Sequence, residues 1–185
     1  MKILKIAVGM CAFCVGFGVL AQNGGILSHS ADTALEQRLL DQEVAPIRSR
    51  EELQEYLRLL PVGSPLKALS PAARERFLNS LVFSGSGLAS YSYKDLAAEL
   101  TALEAYKVLA LFGQQETVKL IPGLRQSDGF SQAIMASDSS RAMASSGGGD
   151  GTVESGKDTD YPDYACISRA TCKQSIGEIC IGSNC

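Results

Sequence analysis

The chain has no tryptophan and one histidine, His29, and no cysteine falls between residues 14 and 166. It also lacks a basic patch. A scarcity of histidine removes most routes to nucleophilic catalysis, because serine and cysteine nucleophiles usually need a histidine or lysine base held nearby. His29 sits in Gly24-Gly25-Ile26-Leu27-Ser28-His29-Ser30, close to the expected new N-terminus, and reads as a solvent-exposed residue. No phosphate loop or dinucleotide fingerprint occurs. Gly147-Gly148-Gly149-Asp150-Gly151 is not followed by Lys-Ser/Thr or by a helix pattern. Ser86 lies between Gly85 and Gly87, but a nucleophile elbow needs glycines two before and two after its serine, where this chain has Ser84 and Leu88. Ser84 to Gly87 therefore reads as a loop between helices. The expectation is a protein that is not an enzyme and holds no cofactor.

The first apolar run is also the only long one. Lys2 and Lys5 precede an uncharged stretch from Ile6 to Leu20, which ends at Ala21-Gln22. A basic start, a short apolar middle and a small residue at the cut make a secretory signal peptide, with cleavage expected between Ala21 and Gln22. The run is shorter than the roughly 20 apolar residues a spanning helix needs, so no stable membrane anchor is expected after cleavage. Met10 and Phe13 precede Cys11 and Cys14; a lipoprotein signal would place a small residue there. An exported protein, periplasmic or extracellular, is the expectation.

The full chain carries 17 basic and 20 acidic side chains. Removing residues 1–21 takes away Lys2 and Lys5 and no acid, leaving 15 basic and 20 acidic groups, a net of −5. Nucleic acid is not an expected partner of such a chain.

Residues 22–125 read as a helical domain. Ala31 to Val44 is a weak helix. Ser49 stands three residues before Glu52 at capping-box spacing, and Leu53, Tyr56, Leu57 and Leu60 fall on one helical face before Pro61. Ser70 as N-cap and Pro71 at the first helical position open a third helix with Phe77, Leu78, Leu81 and Val82 as its apolar face. A fourth is expected from Ser92, with Asp95 near its positive end and a stripe of Leu96, Leu100, Leu103 and Tyr106. Its last turn (Val108, Leu109, Leu111, Phe112) is apolar almost all round and so must be buried. Gly113 suits the residue after the helix. Val118 to Ile121 fits either a further helical turn or an extended piece.

Residues 126–163 are dominated by Ser, Ala, Gly and Asp and have little to bury, so they read as a disordered acidic linker. Phe130, Ile134 and Met135 are the exception, with the spacing of a brief amphipathic turn able to dock on the helices.

Residues 164–185 form a tail holding Cys166, Cys172, Cys180 and Cys185. Four cysteines allow three disulfide connectivities, and spacing does not choose among them. Two disulfides in an oxidising compartment are expected. Structural zinc prefers ligand pairs two to four residues apart, which these spacings scarcely match. Redox catalysis lacks its Cys-x-x-Cys pair in the mature chain. Ser168, Thr171, Ser175 and Ser183 interleave with the cysteines as in thioether-ring peptides, a third alternative. Two short strands about a Gln174–Glu178 turn fit the β-branched residues. The tail's candidates for exposed apolar contact are Tyr161, Tyr164, Ile167, Ile179 and Ile181.

The fold expected is mostly α: a small bundle of about four short helices, a disordered acidic linker, and a disulfide-rich tail with room for a β-hairpin. The tail is expected to stand apart as a separate tip. Such a chain is an exported binding module that presents its stapled tail to a protein partner. The alternative is a precursor in which the helical part is a pro-region and the tail a secreted antibacterial or toxin-like peptide.

Overall fold

The structure, a computed structural model, describes residues 25–136, 151–154 and 159–185, with side chains from residue 33 onward. The expected signal segment, its expected Ala21–Gln22 cut and most of the Gly/Ser-rich stretch lie outside them. Among the described residues the fold is mixed α/β, not mostly α. Six α-helices pack with a five-stranded antiparallel sheet.

The helices are α1 (Gly25–Val44), α2 (Arg50–Leu59), α3 (Pro71–Ser80), α4 (Lys94–Glu99), α5 (Ala102–Ala110) and α6 (Gly129–Ala136). Short 3-10 helices lie at Pro65–Ala68 and Gln115–Leu120, the second taking Val118 to Leu120 into helix rather than an extended piece. The strands are β1 (Val82–Ser84), β2 (Gly87–Ser92), β3 (Thr152–Glu154), β4 (Asp160–Ser168) and β5 (Thr171–Ile181).

Local chemistry sets the helix starts. Ser49 accepts the Glu52 N–H at 3.2 Å, while the Glu52 carboxylate accepts the N–H of Arg48 at 2.6 Å. Ser70 caps α3 by accepting the Ala73 N–H, with Pro71 at the first turn, as its sequence signature implies. The helix expected from Ser92 is two. The chain is still strand through Ser92, α4 follows Tyr93, and Leu100 is extended. Thr101 then opens α5 with a complete capping box: its hydroxyl accepts the Glu104 N–H, and Glu104 accepts the Thr101 N–H at 2.8 Å. The continuous stripe from Leu96 to Tyr106 hid this break.

Ser84 to Gly87 is not a helix-to-helix loop. It is the turn of the β1–β2 hairpin, with Ser84 opposite Gly87 and the Ser86 N–H bonded to the Ser84 hydroxyl. β2 then runs into the interior, with Leu88, Ala89, Ser90 and Tyr91 all buried. A strand covered on both faces shows no alternation of apolar and polar residues, which is why its sequence does not announce it.

β5 is the centre of the sheet. β4 pairs along one of its sides through a hairpin that turns at Arg169-Ala170. β2 and β3 share the other, β2 at Ser90↔Cys180 to Ser92↔Glu178 and β3 at Thr152↔Lys173 to Glu154↔Thr171. The expected hairpin therefore exists, but its turn lies before Cys172, and residues 174–178 run within β5.

Alternation along β5 divides the interior. Ile179 and Ile181, fully buried, join the main core with Leu53, Phe77, Tyr91, Leu96, Leu109 and Phe112. Phe77 meets Tyr91 and Phe112 edge to face, with ring centroids 6.3 and 6.2 Å apart. Cys180 belongs instead to a second cluster with Tyr161 and Cys172, against which Val153, Tyr164, Cys166 and Cys185 pack. The tail is thus no separate tip: one of its strands supplies part of the helical core. Val108, Leu109, Leu111 and Phe112 are buried as the apolar end of α5 requires. Ile134 and Met135 of α6 pack against the same core, whereas Phe130 is exposed.

Candidate functional site: the stapled hairpin and its bulge

The four tail cysteines form two disulfides, Cys166–Cys185 and Cys172–Cys180, with Cα–Cα separations of 5.6 and 6.1 Å. This selects one of the three connectivities. The first bridge ties the chain end to β4. The second joins two positions on β5 itself. Each sulfur being bonded, none is a thiolate available to zinc, and the bridges mark an oxidising compartment. Among the described residues no helix is long and apolar enough to cross a membrane.

The second bridge has a reason in the ladder. Pro162 pairs with Ile179 and Tyr164 with Gln174, so Asp163 alone on β4 faces Ser175 to Glu178 on β5. The extra residues bow out as a bulge. Cys172 and Cys180 flank it, so the disulfide closes the base of the bulge covalently.

Gly177 holds the bulge down. Its N–H donates to the Asp163 carboxylate at 2.9 Å. Its carbonyl accepts the Tyr93 N–H at 2.9 Å and the Ser92 hydroxyl at 3.2 Å. Gly177 has φ +90°, and the aliphatic chain of Lys94 crosses so close that a Cβ there would meet it at 2.0 Å. Only glycine satisfies both conditions without strain. Asp163 is itself left-handed, at φ +63°, a conformation uncommon outside glycine but more often tolerated by Asp and Asn. Its carboxylate also accepts the Tyr93 hydroxyl at 2.7 Å. Burial, aided by this acceptor, pushes the Tyr93 phenol up to about 12, so it remains a neutral donor.

The consequence is an apolar side chain in water. Ile176, between the pinned Gly177 and Ser175, is 74% exposed. Ile167, near the other end of β4, is 56% exposed. Of the tail residues expected to offer apolar contact, Ile167 alone is strongly exposed. Tyr161, Ile179 and Ile181 are buried and Tyr164 is half-buried. The sequence reading missed Ile176, Asp163, Tyr93 and Gly177. The glycine between β-branched runs was the one local signal of a bulge; the partners of Asp163 come from elements distant in sequence.

At the start of β4, the acid Asp160 is claimed by structure. It accepts Arg38 of α1 at 2.6 Å and the Gly182 N–H at 3.2 Å, with both charged side chains largely buried. This pair fastens α1 to the strand pair β4–β5. The carboxylates on helix faces likewise serve local roles. Glu55 pairs with Arg58, Glu99 accepts the Ser70 N–H and hydroxyl, and Glu104 caps α5. A cleft between the α1–α2 junction and the β1–β2 turn is lined by Gln42, Arg48, Glu52 and Ser84 to Gly87. Arg48 and Glu52 lie 3.8 Å apart there, both well exposed, and pair with each other. His29 lies in the α1 backbone.

Compared with family models, with curated proteins and with solved structures, the chain matches none.

Proposed function

We propose that this chain is an exported, non-catalytic protein that recognises a protein partner through the stapled end of its sheet. The observation that carries the reading is Ile176, an exposed apolar residue on a bulge that is closed by a disulfide and pinned at Gly177 on both its N–H and its carbonyl. A surface ordered before binding loses less entropy when it binds. Isolated exposed apolar residues are common and carry no meaning alone; here the fold spends a bridge, a left-handed Asp and an obligatory glycine on holding one in place. Export rests on the Lys2–Leu20 segment with cleavage between Ala21 and Gln22, and N-terminal sequencing of the exported chain tests it. The net negative charge argues against nucleic acid as the partner.

The peptide-precursor reading fares less well. Excision of the tail would take away the central strand and strip Ile179 and Ile181 from the core. The released piece would be left with a small cluster around its cysteines.

The test is interaction capture with the oxidised chain beside Ile176→Asp. Ile176 lies outside the core, so the substitution leaves the packing of the fold untouched. A partner retained by the parent and lost by at least about tenfold, roughly 1.4 kcal/mol, from Ile176→Asp supports the reading. A partner bound equally by both chains removes the bulge as the recognition surface.

A further inference from the structure

The two disulfides lie against each other. The sulfur atoms of Cys166, Cys180 and Cys185 all fall within 4.8 Å of one another, so the outer bridge and one end of the inner bridge are neighbours in space. Their exposures differ. Cys172 and Cys180 are fully buried, whereas Cys166 and Cys185 are only partly covered. A thiol arriving from solvent therefore meets Cys166–Cys185 first.

We infer that Cys166–Cys185 is a thiol-exchange site, and that its opening by a small thiol is relayed inward to Cys180, freeing Cys172 and unclipping the bulge. In the first step a thiolate from solvent attacks one sulfur of Cys166–Cys185. A mixed disulfide forms there, and the other sulfur leaves as a thiolate with the electron pair of the broken bond. In the second step that thiolate attacks the Cys180 sulfur. A new bridge forms to Cys180, and Cys172 leaves as a thiolate that takes a proton from water. Two disulfides exist before and two after, one of them now to the incoming thiol. Exchange proceeds by such thiolate attack and depends on access to the attacked sulfur. The proximity of the sulfurs makes the second step intramolecular, which favours it over attack by a second outside thiol.

The structural result is specific. Cys172 and Cys180 flank the bulge at residues 175–178, so moving the bridge off Cys172 removes the covalent clip from the base of the segment that carries Ile176. Reductant exposure would then loosen this surface before both bridges are lost.

The test uses the full chain, oxidised, carrying Cys166→Ser and equilibrated with a trace of 2-mercaptoethanol. Iodoacetamide quenches it, and peptides are mapped without reduction. The expected products are a Cys180–Cys185 linkage and alkylated Cys172, with Cys180 bridged in every molecule. A Cys172–Cys180 linkage alone, with alkylation confined to Cys185, overturns the relay. So does a Cys172–Cys185 linkage, which marks random pairing in an unfolded chain. The unsubstituted chain gives the second measurement under limiting 2-mercaptoethanol. Its partly reduced species should carry Cys180 joined to Cys166 or Cys185, with label on Cys172. Intermediates that keep Cys172–Cys180 and are labelled only at Cys166 and Cys185 would exclude the relay.

Discussion

Replacing Ile179 by alanine should destabilise the helices, although Ile179 belongs to the cysteine-rich tail. The side chain is fully buried and lies in one core with Phe77 of α3, Leu96 of α4 and Leu109 of α5. The change removes three carbons. At about 0.8 kcal/mol per buried methylene the transfer loss alone is roughly 2.4 kcal/mol, and a cavity left between sheet and helices adds to it. Buried isoleucine-to-alanine changes cost about 2–5 kcal/mol; a value near 3–4 kcal/mol is expected here. With a urea m-value of about 2 kcal/mol/M, the midpoint should fall by roughly 1.5–2 M. The assay is urea unfolding followed by circular dichroism at 222 nm, which reports the helices. Ile176→Ala is the matched control: the same substitution, three residues earlier in β5, at a position 74% exposed, where an effect within about 0.5 kcal/mol is expected. Equal midpoints for the two variants would refute the placement of Ile179 in the helical core.

Three further outcomes follow from the packing. Arg38→Ala should cost about 3 kcal/mol by chemical denaturation, because it leaves the largely buried Asp160 carboxylate without its cation; an unchanged midpoint would mean the pair is solvated. Gly113→Ala should be destabilising by more than 1 kcal/mol. Its φ is +66°, and a Cβ would meet the backbone of α1 at Gln42 Cα (2.6 Å) and Asp41 O (2.7 Å), so a neutral effect would show that α1 does not rest there. Acid should loosen the α4–α5 region. The Thr101 N–H holds the Glu104 carboxyl below its ordinary value, and the Ser70 N–H does the same for Glu99. A folded-state pKa below the unfolded one gives stability that is complete above the unfolded value and lost as pH falls through the folded one. Unfolding midpoints should therefore decline below about pH 4, and Glu104→Gln should flatten that decline.

Much of the helical part was legible because its signals are local. Ser70-Pro71 opened α3 as read, and the apolar end of α5 required the burial it has. The tail cysteines paired among themselves as their isolation implied. What escaped was non-local. Ile179 and Ile181 look like exposed residues of a small tip because β2 and helices α2 to α5, which share their core, come about 70 or more residues earlier in the chain. β2 itself is buried on both faces and carries small residues, so neither period nor propensity marks it. The candidate site suffered most. Tyr93, Asp163 and Gly177 meet only through the β2–β5 and β4–β5 pairings, and nothing in their own neighbourhoods joins them.

The most direct measurement is thermal unfolding at 222 nm of the oxidised chain and of the same chain with both disulfides reduced. The bridges close separations of 19 and 8 residues, each worth about 2–3 kcal/mol by loop entropy. If the stapled strand is the centre of one cooperative fold, reduction should lower the helical midpoint by on the order of 15 °C. Helices that melt at the same temperature in both forms would contradict it and restore the tail as a separate tip.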